Sequence, residues 1–458
     1  MRPHGLRAAL TLCLMLLAPL GVAAQSRTVT PEETRKLAAD ALLSGYPAHA
    51  LELATALIAL DPTDTAALVT ASQASRAMGR NDDAIAFARR ANTTADTRSD
   101  RFYAARATAQ ALAADGKRTR AQLWLRRAAQ NAPTPGVRAQ TIQEFRYVRG
   151  RNPWRSQLSF GIAPSSNIND GSASGTVLIY GIPFQLSGGA QALSGTELSL
   201  GAATERRWRT GRRTILSFGA RVEARRYWLS SEAKDLAPDV EASDYAFTSA
   251  ELAFGLQRAP KGYRPGAIGP GIFTLRFALG KGWYGGDDLL TYSKLQAQKA
   301  YRFSKTTAGY AALTAEWQNR LDDSNRSQQG LTLQAGLSRR FAPGTLSLNA
   351  HIREVESDAN DVSHSAWGVG AGWTLAKPVL TARTTFSVSF EEVDRGYSAF
   401  GADRIDRRKR LGVTMLFSEA ELYGFAPEVG IDWRVTDSTV DFYSTEEVGL
   451  RLGLKSTF

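Results

Sequence analysis

The stretch Glu446-Glu-Val448-Gly-Leu450-Arg-Leu452-Gly-Leu454-Lys-Ser-Thr-Phe458 decides the fold. Val448, Leu450, Leu452, Leu454 and Phe458 share one parity, and Gly449, Arg451, Gly453, Lys455 and Thr457 share the other. Successive side chains of a strand point to opposite faces, so one face is apolar and the other is polar or small. A strand with an apolar outer face and a polar inner face is the unit of a membrane barrel. The final Phe458 reads as a barrel-assembly signal, with the barrel-assembly machinery as the implied partner.

The same alternation recurs back to Trp154, in about fourteen segments, an even number of the kind found in bacterial single-chain barrels. One parity collects Leu216, Phe218 and Val222, then Phe273, Leu275, Phe277 and Leu279, then Leu411, Val413, Met415 and Phe417. The other collects the candidate lumen residues Arg221, Glu223, Arg225, Glu251, Arg276, Glu316, His351, Arg353, Asp432 and Arg434. A soluble β-sandwich would bury its apolar parity inside, so alternation alone does not separate the two. Tryptophans do: Trp154, Trp208, Trp228, Trp283, Trp317, Trp367, Trp373 and Trp433 fall mostly at strand ends, where interfacial girdles lie. Loop lengths add to this. Arg209–Arg213 and Phe303–Lys305 are tight, Leu229–Asp244 and Asp394–Asp406 are long, and the Gly/Pro-rich connection Ala259–Gly271 is the exception on the short side.

At the other end, Arg2 and Arg7 precede the apolar run Ala8–Leu20, and Val22-Ala-Ala24 offers small residues for cleavage, so residues 1–24 read as a signal peptide. Cys13, the only cysteine, lies inside that run and leaves no thiolate metal site or disulfide in the mature chain. The formal charge of +12 in an exported chain points to outer-membrane lipid and lipopolysaccharide as partners, and no nucleic acid is expected.

Residues 25–143 are rich in Ala, Leu and Arg and read as helical. Gly45, Ala50 and Ala54 recur as Gly79, Ala84 and Ala88, a spacing of 34 residues, and Gly116 and Ala121 repeat the first two positions with Leu125 at the third. This resembles the tetratricopeptide repeat, an array that presents a binding surface and carries no chemistry. The expected organisation is therefore a signal (1–24), tetratricopeptide-like helical repeats in the periplasm (25–143), a linker (144–153) and a 14-stranded antiparallel outer-membrane β-barrel (154–458). His49, near the start of the second helix, reads as a surface or packing residue.

The connection Ala163–Gly195 is too long for an ordinary turn, and such loops tend to be functional. It holds Pro164-Ser-Ser-Asn167-Ile-Asn169, then Gly181-Ile-Pro-Phe184-Gln-Leu-Ser187, then Ser194-Gly195. These runs, with Arg404-Ile-Asp406-Arg407, Gly424-Phe-Ala-Pro427 and Tyr443, resemble the surface lipoprotein assembly modulator (Slam) family. The sequence departs from that pattern at Asp437-Ser-Thr439, where an Asn is expected after the Ser. The resemblance implies an outer-membrane translocon that displays or secretes a cargo protein, a surface lipoprotein among the candidates. On this reading the periplasmic repeats bind cargo or chaperone, and Asn167, Asn169 and Phe184 are candidate cargo and loop residues. The alternative is a polysaccharide-export or general porin with a periplasmic protein-binding adaptor. No nucleophile elbow, phosphate loop or metal-ligand cluster is apparent, so no enzyme, no catalytic or metal site and no cofactor is expected.

Overall fold

A computed structural model describes residues 29–179, 182–396 and 403–458. The expected signal segment with Cys13, Gly181 of the long connection and part of the Asp394–Asp406 loop lie outside the described residues. The chain divides into two compact units, one ending at Gly116 and the other running Lys117–Phe458.

The first unit is helical: α1 (Pro31–Leu43), α2 (Pro47–Leu60), α3 (Thr65–Ala77), α4 (Asn81–Thr94) and α5 (Arg98–Ala114). Thr30 and Glu33 cap each other's orphan backbone groups at the start of α1, and Thr97 and Asp100 do the same for α5. Gly45 and Gly79 take φ of +83° and +77° at the turns inside the α1–α2 and α3–α4 hairpins, a left-handed backbone that favours glycine. Ala50, Ala54, Ala84 and Ala88 are fully buried, so the small residues lie in the packed interior of the hairpins. Leu57, Leu68 and Ala71 fill the core between α2, α3 and α4. His49 is exposed, within 3.5 Å of Glu52.

The second unit begins with α6 (Arg118–Asn131) and α7 (Pro135–Arg151). Residues 144–151, expected as linker, are the last turns of α7. Thr134 caps that helix and Pro135 opens it, no proline or isolated cap interrupts it before Asn152, and Thr141 and Phe145 bury its inner stripe.

The strands follow: β1 (Trp154–Ser165), β2 (Thr176–Ile179), β3 (Ile182–Gln185), β4 (Gly195–Arg209), β5 (Thr214–Leu229), β6 (Phe247–Arg258), β7 (Gly269–Tyr284) and β8 (Asp287–Arg302). Then come β9 (Thr307–Arg320), β10 (Gln328–Arg340), β11 (Gly344–Ser357), β12 (His364–Leu375), β13 (Arg383–Asp394), β14 (Ile405–Leu416), β15 (Phe425–Ser438) and β16 (Thr445–Ser456). All but β2 and β3, which form a hairpin of their own, close into one antiparallel 14-stranded barrel. Closure pairs backbone groups between neighbours, which is what lets strands stand in hydrocarbon.

The apolar parity faces outward. Leu216, Val222, Leu279, Leu411, Val448 and Leu452 are all exposed, and the charged parity lines the lumen. Exposed apolar residues around a closed antiparallel wall make a lipid-facing belt. This is an outer-membrane barrel. Trp154, Trp208 and Trp373 lie toward the rim that carries the C-terminus, and Trp228, Trp283, Trp317 and Trp367 toward the opposite rim.

Loop lengths follow the expected asymmetry with a further exception. Gly285 and Gly286, at φ of +61° and +99°, form a two-residue turn between β7 and β8 on the rim that otherwise carries the long loops. A second difference is at the chain end. β16 stops at Ser456, and Phe458, expected on the bilayer-facing parity, is buried against α7. The Thr457 N–H still donates to the Gly424 carbonyl at 2.9 Å, one step past the Phe425–Ser456 pair of the β15–β16 ladder, and the tail departs after it, where Phe458 packs on Phe145.

Candidate functional site

The first feature is the long connection after β1, which is folded and not an open loop. Asn169 donates to the carbonyls of Gly189 (3.1 Å) and Gln191 (2.8 Å) and accepts from the Leu193 N–H (2.8 Å). Asn167, 3% exposed, donates to the Gly171 carbonyl and accepts from its N–H, both at 2.9 Å. Both asparagines therefore act as short side chains that satisfy loop backbone, a role suited to their amide geometry. Leu193 and Ile168 pack with Leu229, Ala233, Ala237 and Tyr245, so this connection and the one between β5 and β6 share a small core. Burial and the neighbouring Asp244 push the Tyr245 phenol up. The β2–β3 hairpin sets Val177, 2% exposed, opposite Phe184, which is 47% exposed.

Beneath this cap lies a cavity of about 820 Å³. Its roof includes Asn167 and Asn169, and its walls include His351, Glu391, Arg408 and Arg434. The wall charges are paired. His351 reaches Glu391 at 3.0 Å across β12, because Gly368 stands between them in the register and has no side chain to block the way. Arg408 also bonds Glu391, at 3.0 Å. Asp432 accepts from Arg410 at 2.9 Å and lies 3.4 Å from Arg451, while Arg434 pairs with Glu447 at 3.0 Å. Farther round, Arg276 and Tyr292 both donate to Glu251, at 2.7 and 3.0 Å, Lys294 pairs with Glu316 at 2.8 Å, and Arg221 with Glu223 at 3.2 Å. Arg225 and Arg353 stand exposed on the inward faces of β5 and β11. A pair half-exposed on both sides, such as Arg221–Glu223, contributes about 0–1 kcal/mol. Such pairs line a wettable wall more than they hold it together.

Asp406 is different. It is fully buried, accepts from Arg404 Nε at 2.9 Å and Nη2 at 2.8 Å, and accepts from Ser438 Oγ at 2.8 Å. The Arg404 guanidinium also lies over the Tyr443 ring, 3.3 Å from its centroid. The sequence contained this group only as a motif, and the strand-parity reading left Asp406 out of the lumen residues. The signal present was the spacing of two in Arg404-Ile-Asp406, which puts both side chains on one face.

The second feature is at the rim carrying the C-terminus. Arg126 of α6 donates to the carbonyls of Tyr423 and Gly424, both at 3.0 Å, and to Ser456 Oγ at 2.7 Å. Its guanidinium lies within 5 Å of the ring centroids of Phe145, Phe425 and Phe458. Burial and the nearby Arg149 pull the Arg126 guanidinium down. Arg149 donates to the Phe458 carbonyl oxygen at 2.7 Å, and Arg138 pairs with Glu421 at 2.7 Å. The helical hairpin thus clamps the end of β16 and the β14–β15 turn.

No protein-family model and no curated protein matches the chain. Among solved structures it is similar to a BenF-like porin from Pseudomonas fluorescens Pf-5, at 8% identity over 66% of this chain and 98% of that one, with a TM-score of 0.36. It is also similar to OccAB4 of Acinetobacter baumannii, at 10% identity over 66% of this chain and 97% of that one, with a TM-score of 0.33. The type III secretion translocator chaperone SycD of Yersinia enterocolitica aligns with 27% of this chain and 88% of its own, at 19% identity and a TM-score of 0.24. Likenesses this distant carry no function across.

Proposed function

We propose that this protein is an outer-membrane conduit that moves, or helps to move, an exported polypeptide to the cell surface, as the Slam-like motifs imply. The observation that carries the reading is the joining, in one chain, of packed helical hairpins to a barrel whose inner wall is polar and ion-paired. Helical hairpin arrays of the tetratricopeptide kind bind extended or helical peptides and perform no chemistry. A wall of paired charges offers weak, distributed polar contacts, which suits a moving chain better than a single tight site. In this account the helices face the periplasm and take up cargo or its chaperone, and outer-membrane lipid and lipopolysaccharide surround the belt. The folded connection after β1 caps the opposite mouth, and cargo passage requires it to move. The test is deletion of Ser165–Ser187 in the native host, with heat-modifiable gel migration as the check on assembly. Loss of surface display with the barrel intact supports the reading; unchanged display sinks it.

A second reading is favoured by the 820 Å³ cavity of mixed charge under the cap. It is a porin for small polar solutes with a protein-binding adaptor. Liposome swelling with sugars and amino acids, compared before and after removal of Ser165–Ser187, separates a solute path from a polypeptide path.

A further inference from the structure

The barrel closes unevenly. Every residue of β1 from Trp154 to Ser165 is paired with β4. Toward β16, the ladder holds Gly161 with Gly453, Ile162 with Leu452 and Ser165 with Gly449, and no residue of Trp154–Phe160 is paired. Those seven residues are all exposed, on both parities, and Leu158 reaches 79%. The register shows which residues would meet. With Gly161 opposite Gly453, Phe160 faces Leu454, Gln157 faces the position of Thr457 and Ser156 that of Phe458. Thr457 bonds Gly424 on the β15 side, and Phe458 is held by Phe145 and Arg149. The hairpin α6–α7 thus holds the residue that would face Ser156, while Leu454–Ser456 stay paired with β15 and leave Leu158–Phe160 without a partner on that side.

We propose that the open edge of β1, Trp154–Phe160, receives an extended segment of the exported polypeptide as an added strand. The proposal rests on the transport reading above and names where the moving chain is held. Strand addition at a sheet edge supplies main-chain hydrogen bonds for affinity and alternate side chains for specificity. The edge continues the β1–β16 ladder, and an added strand enters between Leu158–Phe160 and the Leu454–Ser456 end of β16, which stays paired with β15. Its chemistry selects the occupant. Leu158 and Phe160 share the outward parity with Leu454 across the gap, and Arg155 stands on the inward parity, where Lys455 of β16 is already paired with Glu428 at 3.3 Å. A segment that alternates apolar with acidic or polar residues matches both faces. Lipid cannot supply the hydrogen bonds that an edge in hydrocarbon requires. A second copy of this chain would bring two rows containing Arg155 together.

The test uses the full chain with Cys13→Ser in phospholipid nanodiscs, and assembly of each variant is confirmed by heat-modifiable migration. The probe is a synthetic decapeptide of alternating leucine and glutamate with one central cysteine, dioxygen with a copper–phenanthroline catalyst is the oxidant, and disulfide trapping is normalised to the rate with free cysteine. The account expects trapping at Leu158→Cys and Phe160→Cys at least fivefold faster than at Leu216→Cys, an outward site on a fully paired strand. It also expects the pair Ile162→Cys/Leu452→Cys to close readily and Phe160→Cys/Leu454→Cys to close slowly. Equal trapping at all three sites, disulfide dimers through Leu158→Cys, or equally fast closure of both pairs would overturn it. Locking the seam with Phe160→Cys/Leu454→Cys in the host separates the two levels of the account. Export that persists with the seam locked but stops when the protein is removed refutes the edge and keeps the transport reading. Export that is indifferent to the protein refutes the transport reading.

Discussion

Phe458 meets Phe145 edge to face, with ring centroids 5.4 Å apart and an interplanar angle of 70°. The geometry is a favourable aromatic contact, and the ring it buries is the one expected to act during barrel assembly. The two roles separate by mutation. Phe145→Ala opens a cavity under α7 at a cost of about 3–5 kcal/mol to the hairpin's docking. It is expected to speed amide exchange in α7 while leaving the heat-modifiable band unchanged. Phe458→Asp is expected to lower the assembled fraction as well. Equal assembly defects in both variants would mean that the clamp itself is needed for barrel closure.

Asn169→Ala removes three hydrogen bonds that fold the connection after β1. At about 1 kcal/mol for each, the local cost is about 3 kcal/mol, enough to loosen the cap without unfolding the wall. Limited proteolysis of the reconstituted barrel is expected to cut between Ser165 and Ser187 in the variant and not in the parent. An unchanged cleavage pattern would show that the cap is held by its apolar core alone.

Removing Asp406 leaves the Arg404 guanidinium without its carboxylate in a buried setting. Loss of one partner of such a pair costs about 3–5 kcal/mol. Asp406→Ala is therefore expected to lower the midpoint of heat modification markedly, whereas Glu223→Gln, which breaks a half-exposed pair, shifts it within error. Comparable shifts in the two variants would contradict this division.

In the helical unit, Leu68 is fully buried between its neighbours. Leu68→Ala should destabilise those helices by about 2–5 kcal/mol, read as an earlier loss of the helical circular dichroism signal on heating. His49→Ala, on the exposed face, should leave the melting curve in place.

Much of this was legible in the chain. Period-2 alternation exposed the strands and their two faces, because a strand's face depends only on neighbouring residues, and the tryptophans at strand ends told which face meets the bilayer. Glycines at a regular spacing marked the turns of the helical hairpins. What local patterns could not carry were relationships set by distant partners. Asn167 and Asn169 stood out as conspicuous loop residues, but their hydrogen bonds to Gly171, Gly189 and Gln191 depend on how the loop returns on itself. Asp406 stood two residues from Arg404 in the sequence, yet its third hydrogen bond comes from Ser438 of β15. Phe458 continued the outward parity on paper, and left it because Phe145 and Arg149 hold it. The β2–β3 hairpin was hidden for a similar reason, since four-residue strands are too short to show alternation above background.

The most direct test of the central claim is a quantitative comparison of surface-labelled and released proteins in the native host, with and without this protein. The account predicts that one or a few exported proteins leave the surface and accumulate in the periplasm, and that the full chain restores them while the chain lacking Ser165–Ser187 does not. An unchanged set of surface and released proteins, together with slower uptake of small polar solutes, would contradict it and establish the porin reading instead.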